Sequence, residues 1–439
     1  MKKISLFALF VLIVQVSHAQ TPNIKLLDSL FQYIEANDKN MGSVSVYKDG
    51  KEIYQKTIGY ASISDQVKAN AKTKYRIGSV SKTFTAAIIM QLVDQGKLTL
   101  DTRLKQFFPQ IPNAEKITIE HLLRHESGLF NFTAAPDYTR WMVDPKSKED
   151  LIKLFVNNAT VFQPGEKSEY SNTNYVLLSF IAEELSGMPY GDILQAKISR
   201  PAKLTGTQYG SKINLKNNEA LSYNKFGSWM LSSETDPSIP IGAGGIAAPA
   251  SDVSRFFSQL FEGGLVSDSS LSRMTTLKEG VGLGLFQIPF NQKRGLGHSG
   301  AIDGFKSSAM YFPDDKLAVS YLSNAEDMVV NDIIIGVLSA VYGTPYTFPE
   351  FKAALTLRPE ELDPYLGVYS APGFPLKISI SKKGNILMGQ GTGQPEFPLT
   401  AVEANVFTFE QAKLKLEFLP AEQKMILLQG GARFELARE

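Results

Sequence analysis

A chain of 439 residues can bury a large core, and its length alone predicts two or three domains. With 43% hydrophobic and 20% charged residues it has the balance of an ordinary soluble globular protein. Basic and acidic residues nearly cancel, 45 against 44, so no charge surplus points to nucleic acid or an anionic membrane, and without cysteine there is neither a disulfide nor a site for a lipid anchor.

The first segment stands apart. Lys2 and Lys3 precede an apolar run over residues 6–14, followed by the small residues Ser17 and Ala19 around His18. That pattern predicts a signal peptide over residues 1–19, cleaved after Ala19, because the run falls short of the ~20 apolar residues that span a bilayer. The expected location is therefore periplasmic or secreted, and no later stretch is apolar enough to cross a membrane.

Residues 23–36 carry apolar side chains at helical spacing and predict an amphipathic helix. Residues 42–59 alternate around Asp49-Gly50, a hairpin signal. In residues 75–95, a turn at Ile77-Gly78 gives way to a helix with Ala86, Ile89, Met90 and Val93 on one buried face. A short helix opens at Thr118, a longer one spans residues 175–185 and ends at Gly187, and another covers residues 251–261 after the glycine-rich Gly242-Ala-Gly-Gly. Strands are expected at residues 283–287, 297–300, 307–312 and 317–322, then a last helix at 332–341. Past about residue 357 the helical period vanishes. Short alternating runs at 376–380, 386–388, 406–409, 414–419 and 425–428 predict a small β-barrel or sandwich over residues 358–439, with the larger domain occupying 20–350. Strands from both ends of that larger domain, with an all-helical lobe inserted between them, predict an α/β (α+β) fold with a cleft between sheet and lobe.

Ser79 and Lys82 lie three residues apart at the start of the predicted helix, so hydroxyl and amine can touch. An amine accepts a proton only when uncharged, and a buried helix N-terminus disfavours the ammonium twice, through the dipole and through desolvation. Tyr170, in the polar loop Tyr170-Ser-Asn172, could exchange protons with the serine, its phenol acidified by a neighbouring ammonium. Gly300, on the expected edge strand of His298-Ser-Gly300-Ala301, would admit an extended substrate, and the Ala301 amide could donate to an oxyanion.

Ser79-x-x-Lys82, Tyr170-Ser-Asn172 and His298-Ser-Gly300, in that order, resemble the serine β-lactamase and penicillin-binding-protein superfamily. The Tyr-x-Asn form is similar to the class C β-lactamase, family VIII esterase and D-aminopeptidase/DD-carboxypeptidase branch. Residues 121–129, 242–256 and 282–286 also resemble it, and the likeness extends over about residues 42–342. The resemblance implies a β-lactamase-like antiparallel sheet flanked by helices. It implies Ser79 as acylated nucleophile, Lys82 as its proton acceptor and Tyr170 as general base or acid. Asn172 would hydrogen-bond the acyl side, with the oxyanion hole formed by the Ser79 and Ala301 amides. His298 stands where β-lactamases carry lysine. A partly charged histidine is a weaker partner for a substrate carboxylate, which favours esters or short peptides, D-amino-acid ones among them, over β-lactams. No cofactor or metal is implied, and the C-terminal barrel resembles lipocalin-like modules.

Other readings of these residues carry less. Gly297-His-Ser299-Gly-Ala301 misses the Gly-x-Ser-x-Gly elbow at its last position, and no histidine follows Ser299. His121 and His125 are four apart on a helix but lack a third metal ligand, so local hydrogen bonding is expected of them. Gly389-Gln-Gly391-Thr-Gly393 precedes no helix, and Phe397, Phe407 and Phe418 suit a barrel core better than a ligand box. Penicillin binding or β-lactamase activity, and a non-catalytic binding module, are the alternatives to an ester- or amide-cleaving enzyme.

Overall fold

The computed structural model describes residues 22–351 and 354–439; the predicted signal peptide lies outside the described residues. Helix α1 (Ile24–Ala36), capped by the Asn23 carboxamide, buries Leu27, Leu30, Phe31 and Ile34. It leads into β1 (Asn40–Lys48) and β2 (Lys51–Ile58). Their turn places Asp49 and Gly50 at positive φ, which these two residue types tolerate best. After a 3-10 turn at Gly78–Val80 comes helix α2 (Ser81–Asp94), then α3 (Ile119–Leu123) and α4 (Asn172–Ser186). Gly187 ends α4 in the left-handed conformation, returning its N–H to the Glu183 carbonyl. Strands β3 (Tyr223–Phe226) and β4 (Ser228–Leu231) form a hairpin, and α5 (Ala250–Glu262) follows. The second half of the sheet is β5 (Phe286–Phe290), β6 (Lys293–Ile302), β7 (Phe305–Phe312) and β8 (Leu317–Glu326), closed by α6 (Val330–Tyr342).

The sheet runs β5-β6-β7-β8-β1-β2, antiparallel throughout this path, so the two ends of the segment meet where β8 pairs with β1. Helices α1 and α6 cover one face, with Leu30, Phe31, Tyr321 and Val337 in that core. The other face and the inserted lobe share a second, larger core that includes Phe84, Ile89, Tyr175, Phe256 and Phe257. With both faces covered, β8 is buried over its first nine residues. Helix α2 departs from its expected amphipathic form. Eleven of its fourteen residues are buried, because it passes between the sheet side and the lobe rather than along a surface.

The inserted region also contains strands. The segment after Tyr223 starts as the β3–β4 hairpin, and Tyr223 pairs in parallel with Ala325 of β8. Past the main sheet, β9 (Gly367–Ser370), β10 (Ile378–Lys383), β11 (Ile386–Gly391), β12 (Phe397–Glu403), β13 (Val406–Phe409), β14 (Leu414–Leu419), β15 (Lys424–Gln429) and β16 (Ala432–Arg438) form a closed antiparallel barrel. Tyr369 opposite Arg438 joins first strand to last. Its interior is filled by Tyr369, Leu416, Phe407, Phe418 and Met425, a core of its own. No helix among the described residues is long and apolar enough to cross a membrane.

Candidate functional site

The turn before Ser79 is held from two sides. The Ile77 N–H donates to the Ile246 carbonyl at 2.9 Å, and the Ile77 carbonyl accepts from Ser307 Oγ of β7 at 2.7 Å. Gly78 takes a φ of +50°, and a Cβ there would sit 2.8 Å from the Ala301 nitrogen. A Cβ on Gly300 would meet the Ile77 oxygen at 2.2 Å and the Ser79 nitrogen at 2.9 Å. Two glycines therefore let β6 and the Ser79 turn press backbone to backbone, which brings the Ser79 and Ala301 amides into one corner. Strand β5 pairs with β6 from Lys293 to Gly297 and no further. The sequence-predicted strand at 297–300 is thus the free end of a longer one.

Lys82 Nζ lies 3.0 Å from Ser79 Oγ, 2.8 Å from Asn172 Oδ1 and 2.7 Å from the Ala243 carbonyl, in a side chain with no exposed surface. Burial holds its pKa well below the ordinary lysine value. An uncharged amine has two hydrogens and one lone pair. In that form the carboxamide oxygen and the carbonyl take the hydrogens, and the lone pair is left for the Ser79 hydroxyl proton. The Tyr170 hydroxyl donates to Ser79 Oγ from the other side at 2.7 Å. Such a serine has a proton acceptor and a proton donor on its one oxygen.

Ala243 is not among the residues that sequence singles out, although its glycine-rich neighbourhood is. The structure gives the reason for the glycines. A Cβ on Gly242 would lie 2.2 Å from Ser179 Oγ of α4 and 2.6 Å from Thr85 Oγ1 of α2. Only a glycine threads between those helices, bonded to both, to deliver the next carbonyl to Lys82.

Two expectations need correcting. Sequence predicts a Tyr170 acidified by a lysine ammonium; instead burial of its hydroxyl end raises the phenol's pKa, although 37% of the residue is exposed, and burial also disfavours the ammonium form of its amine neighbour. His298 is expected to be partly charged at neutral pH. Burial pushes it down to about 3, so it is neutral. Its Nδ1 lies 2.5 Å from the Ser299 carbonyl and must carry the proton there, leaving Nε2 a buried acceptor without a partner. Asn172 is expected to face the acyl chain. Its Oδ1 meets Lys82 and its Nδ2 meets Asn131 Oδ1 at 3.2 Å and Thr133 Oγ1 at 2.9 Å, so the carboxamide is engaged within the protein.

His121 and His125 do different local work. His121 Nδ1 accepts from the Thr118 N–H at the start of α3. His125, at φ +60° and buried, accepts the Ser171 N–H and lies against the Tyr170 ring with centroids 4.4 Å apart. Among the described residues no group of three or more histidine or carboxylate side chains is placed to hold a metal ion. Two segments of the inserted region are joined: the Asp236 N–H donates to the Met142 carbonyl at 2.8 Å, and the Lys146 N–H to Ser238 Oγ at 2.9 Å. A separate cavity of about 820 Å³ lies between the barrel and the sheet domain, lined by Lys39, Lys225, Phe407 and Glu410; none of the residues around Ser79 borders it.

A family model described as Beta-lactamase matches residues 30–338. A penicillin-binding protein of Bacillus subtilis is 27% identical over 361 residues, 75% of this chain and 78% of its own. Among solved structures, a D-stereospecific amidohydrolase from Streptomyces sp. superposes with a TM-score of 0.64 at 25% identity, over 74% of this chain and all of its own. The octameric penicillin-binding protein homologue from Pyrococcus abyssi, at 24% identity and a TM-score of 0.64, shares the fold over 94% of this chain and 99% of its own.

Proposed function

This chain belongs to the beta-lactamase family, and on that premise we propose that it is an exported serine hydrolase, acting through an acyl-enzyme on Ser79. Its substrates are small esters and amides or short peptides, those of D-amino acids included. The observation that carries this reading is the fully buried Lys82, whose amine lies within hydrogen-bond reach of Ser79 Oγ, Asn172 Oδ1 and the Ala243 carbonyl, where desolvation disfavours the ammonium. In the proposed reaction Ser79 Oγ attacks the carbonyl carbon as its proton passes to Lys82 Nζ. The developing oxyanion is met by the Ser79 and Ala301 amides. Tyr170, protonated in the resting site, hands its proton to the departing oxygen or nitrogen and is reprotonated from Lys82. Water then attacks the acyl carbon along the same relay in reverse, regenerating Ser79.

The neutral His298 supports the choice of substrate. A β-lactam or a C-terminal peptide carboxylate gains most from a fixed cation at this position, and this imidazole carries no charge above pH ~4 when its pKa is about 3. The amide preference also rests on the likeness to a D-stereospecific amidohydrolase. A substrate panel tests it: p-nitrophenyl acetate and butyrate, D- and L-amino-acid amides, a penicillin and a cephalosporin. Ester and amide cleavage abolished by Ser79→Ala is expected; cephalosporin turnover with negligible ester or amide cleavage would transfer the assignment to the β-lactamase reading.

A further inference from the structure

We propose that Asn131 is a positioning residue for the Ser79–Lys82 pair, acting through the carboxamide of Asn172 with help from Thr133; the inference rests on the serine-hydrolase reading above. It starts from a donor whose identity is not in question. The backbone N–H of Asn172 lies 3.0 Å from one carboxamide atom of Asn131, which must therefore be the oxygen. That oxygen also accepts from Thr133 Oγ1 at 3.1 Å and sits 3.2 Å from the Asn172 side chain. Two oxygens cannot face each other without a hydrogen between them, so Asn172 presents its Nδ2 to Asn131, and a second hydrogen to Thr133 Oγ1 at 2.9 Å. The Asn172 oxygen is thereby turned toward Lys82. An uncharged Lys82 gives it one hydrogen and the Ala243 carbonyl the other, and its lone pair is directed at Ser79.

Without the Asn131 acceptor, the Asn172 carboxamide is free to rotate by half a turn. Its NH₂ group would then face the amine and donate to the lone pair that Ser79 needs. The same rotation removes an acceptor that favours the ammonium, so Lys82 becomes still harder to protonate. The substitution Asn131→Asp retains the acceptor and keeps the carboxamide in place, while the negative charge it introduces makes Lys82 easier to protonate.

The experiment is a double-mutant cycle read as kcat, KM and pH profile on p-nitrophenyl butyrate. Asn131→Leu is expected to lower kcat about 10- to 100-fold, part of the range of a general base, with KM within about threefold. Asn131→Asp should restore most of kcat at neutral pH and move the acid limb upward. In an Asn172→Ala background, Asn131→Leu should change kcat less than about twofold, because the group it acts through is gone. An equal loss in both backgrounds, or a loss in KM alone, overturns the inference and makes Asn131 a packing or substrate contact. A wild-type protein without Ser79-dependent turnover refutes the hydrolase reading itself. A Lys82 side-chain NMR titration of the unliganded protein keeps the cases apart, since Asn131→Asp must raise the Lys82 pKa whether or not an ester is cleaved.

Discussion

At Ser79, one oxygen is shared by an amine at 3.0 Å and a phenol at 2.7 Å. Burial disfavours the charged form of both, lowering the Lys82 pKa and raising that of Tyr170, which sets the pH behaviour. The rate should fall as pH drops through the lowered Lys82 pKa, well below an ordinary lysine titration. Lys82→Ala and Tyr170→Phe should each reduce kcat by about 10²- to 10⁴-fold on an ester substrate, because each removes one leg of proton transfer. His298 makes a separate prediction about stability. Its folded pKa is about 3 against an ordinary 6.5, so between these values the unfolded chain binds the extra proton. The stability of the folded form is therefore lost as pH falls from 6.5 toward 3, and a His298→Gln variant should show a shallower decline of denaturation midpoint over that window. An identical slope in both proteins would contradict the buried, neutral imidazole.

At the level of elements, the site depends on how closely backbone passes backbone. Gly300 and Gly78 let β6 meet the Ser79 turn, and Gly242 passes between α2 and α4. Gly300→Ala should separate the Ser79 and Ala301 amides and cost kcat well over about tenfold while the far-ultraviolet circular dichroism stays native; a fully active variant would show that strand and turn have slack. These close approaches explain what can be read in advance and what cannot. Ser79, Lys82, Tyr170, Asn172 and His298 carry their chemistry in their own side chains and stand in ordered motifs, so sequence places them together. Ala243 acts through a carbonyl that every residue possesses, and only the surrounding glycines hint that a backbone passes there. Asn131 and Thr133 belong to an irregular segment whose path no periodicity encodes. The pKa directions of Tyr170 and His298 escape sequence for the same reason: desolvation depends on packing from several elements, and sequence shows one element at a time. In the barrel, five strands announce themselves by alternation. Strand β16 is largely exposed and β12 contains Pro398, so their alternation is too faint to read.

On the scale of the whole molecule, two bodies of apolar packing flank the cleft-bearing sheet, and the barrel has its own interior. We propose on this basis that residues 358–439 form a separately cooperative domain. Polar contacts that join it to the rest include exposed pairs such as Lys413 to Asp332 at 3.0 Å and Gln411 to the Glu326 carbonyl at 3.2 Å, and pairs of this kind contribute ~1 kcal/mol or less. Removing a filled interior side chain should therefore act locally. Phe418→Ala is expected to destabilise the barrel by about 3–5 kcal/mol and to lower one calorimetric transition, leaving ester hydrolysis at about 25 °C unchanged. A single transition that shifts as a whole, with loss of hydrolysis, would show that the barrel and the Ser79 domain unfold together. The central claim, an activated serine at residue 79, is tested most directly by mass spectrometry of the native protein after exposure to a fluorophosphonate. The account predicts one stoichiometric adduct, mapped to Ser79, slowed by Lys82→Ala and absent from Ser79→Ala; a native protein that remains unlabelled, or is labelled elsewhere, would contradict it.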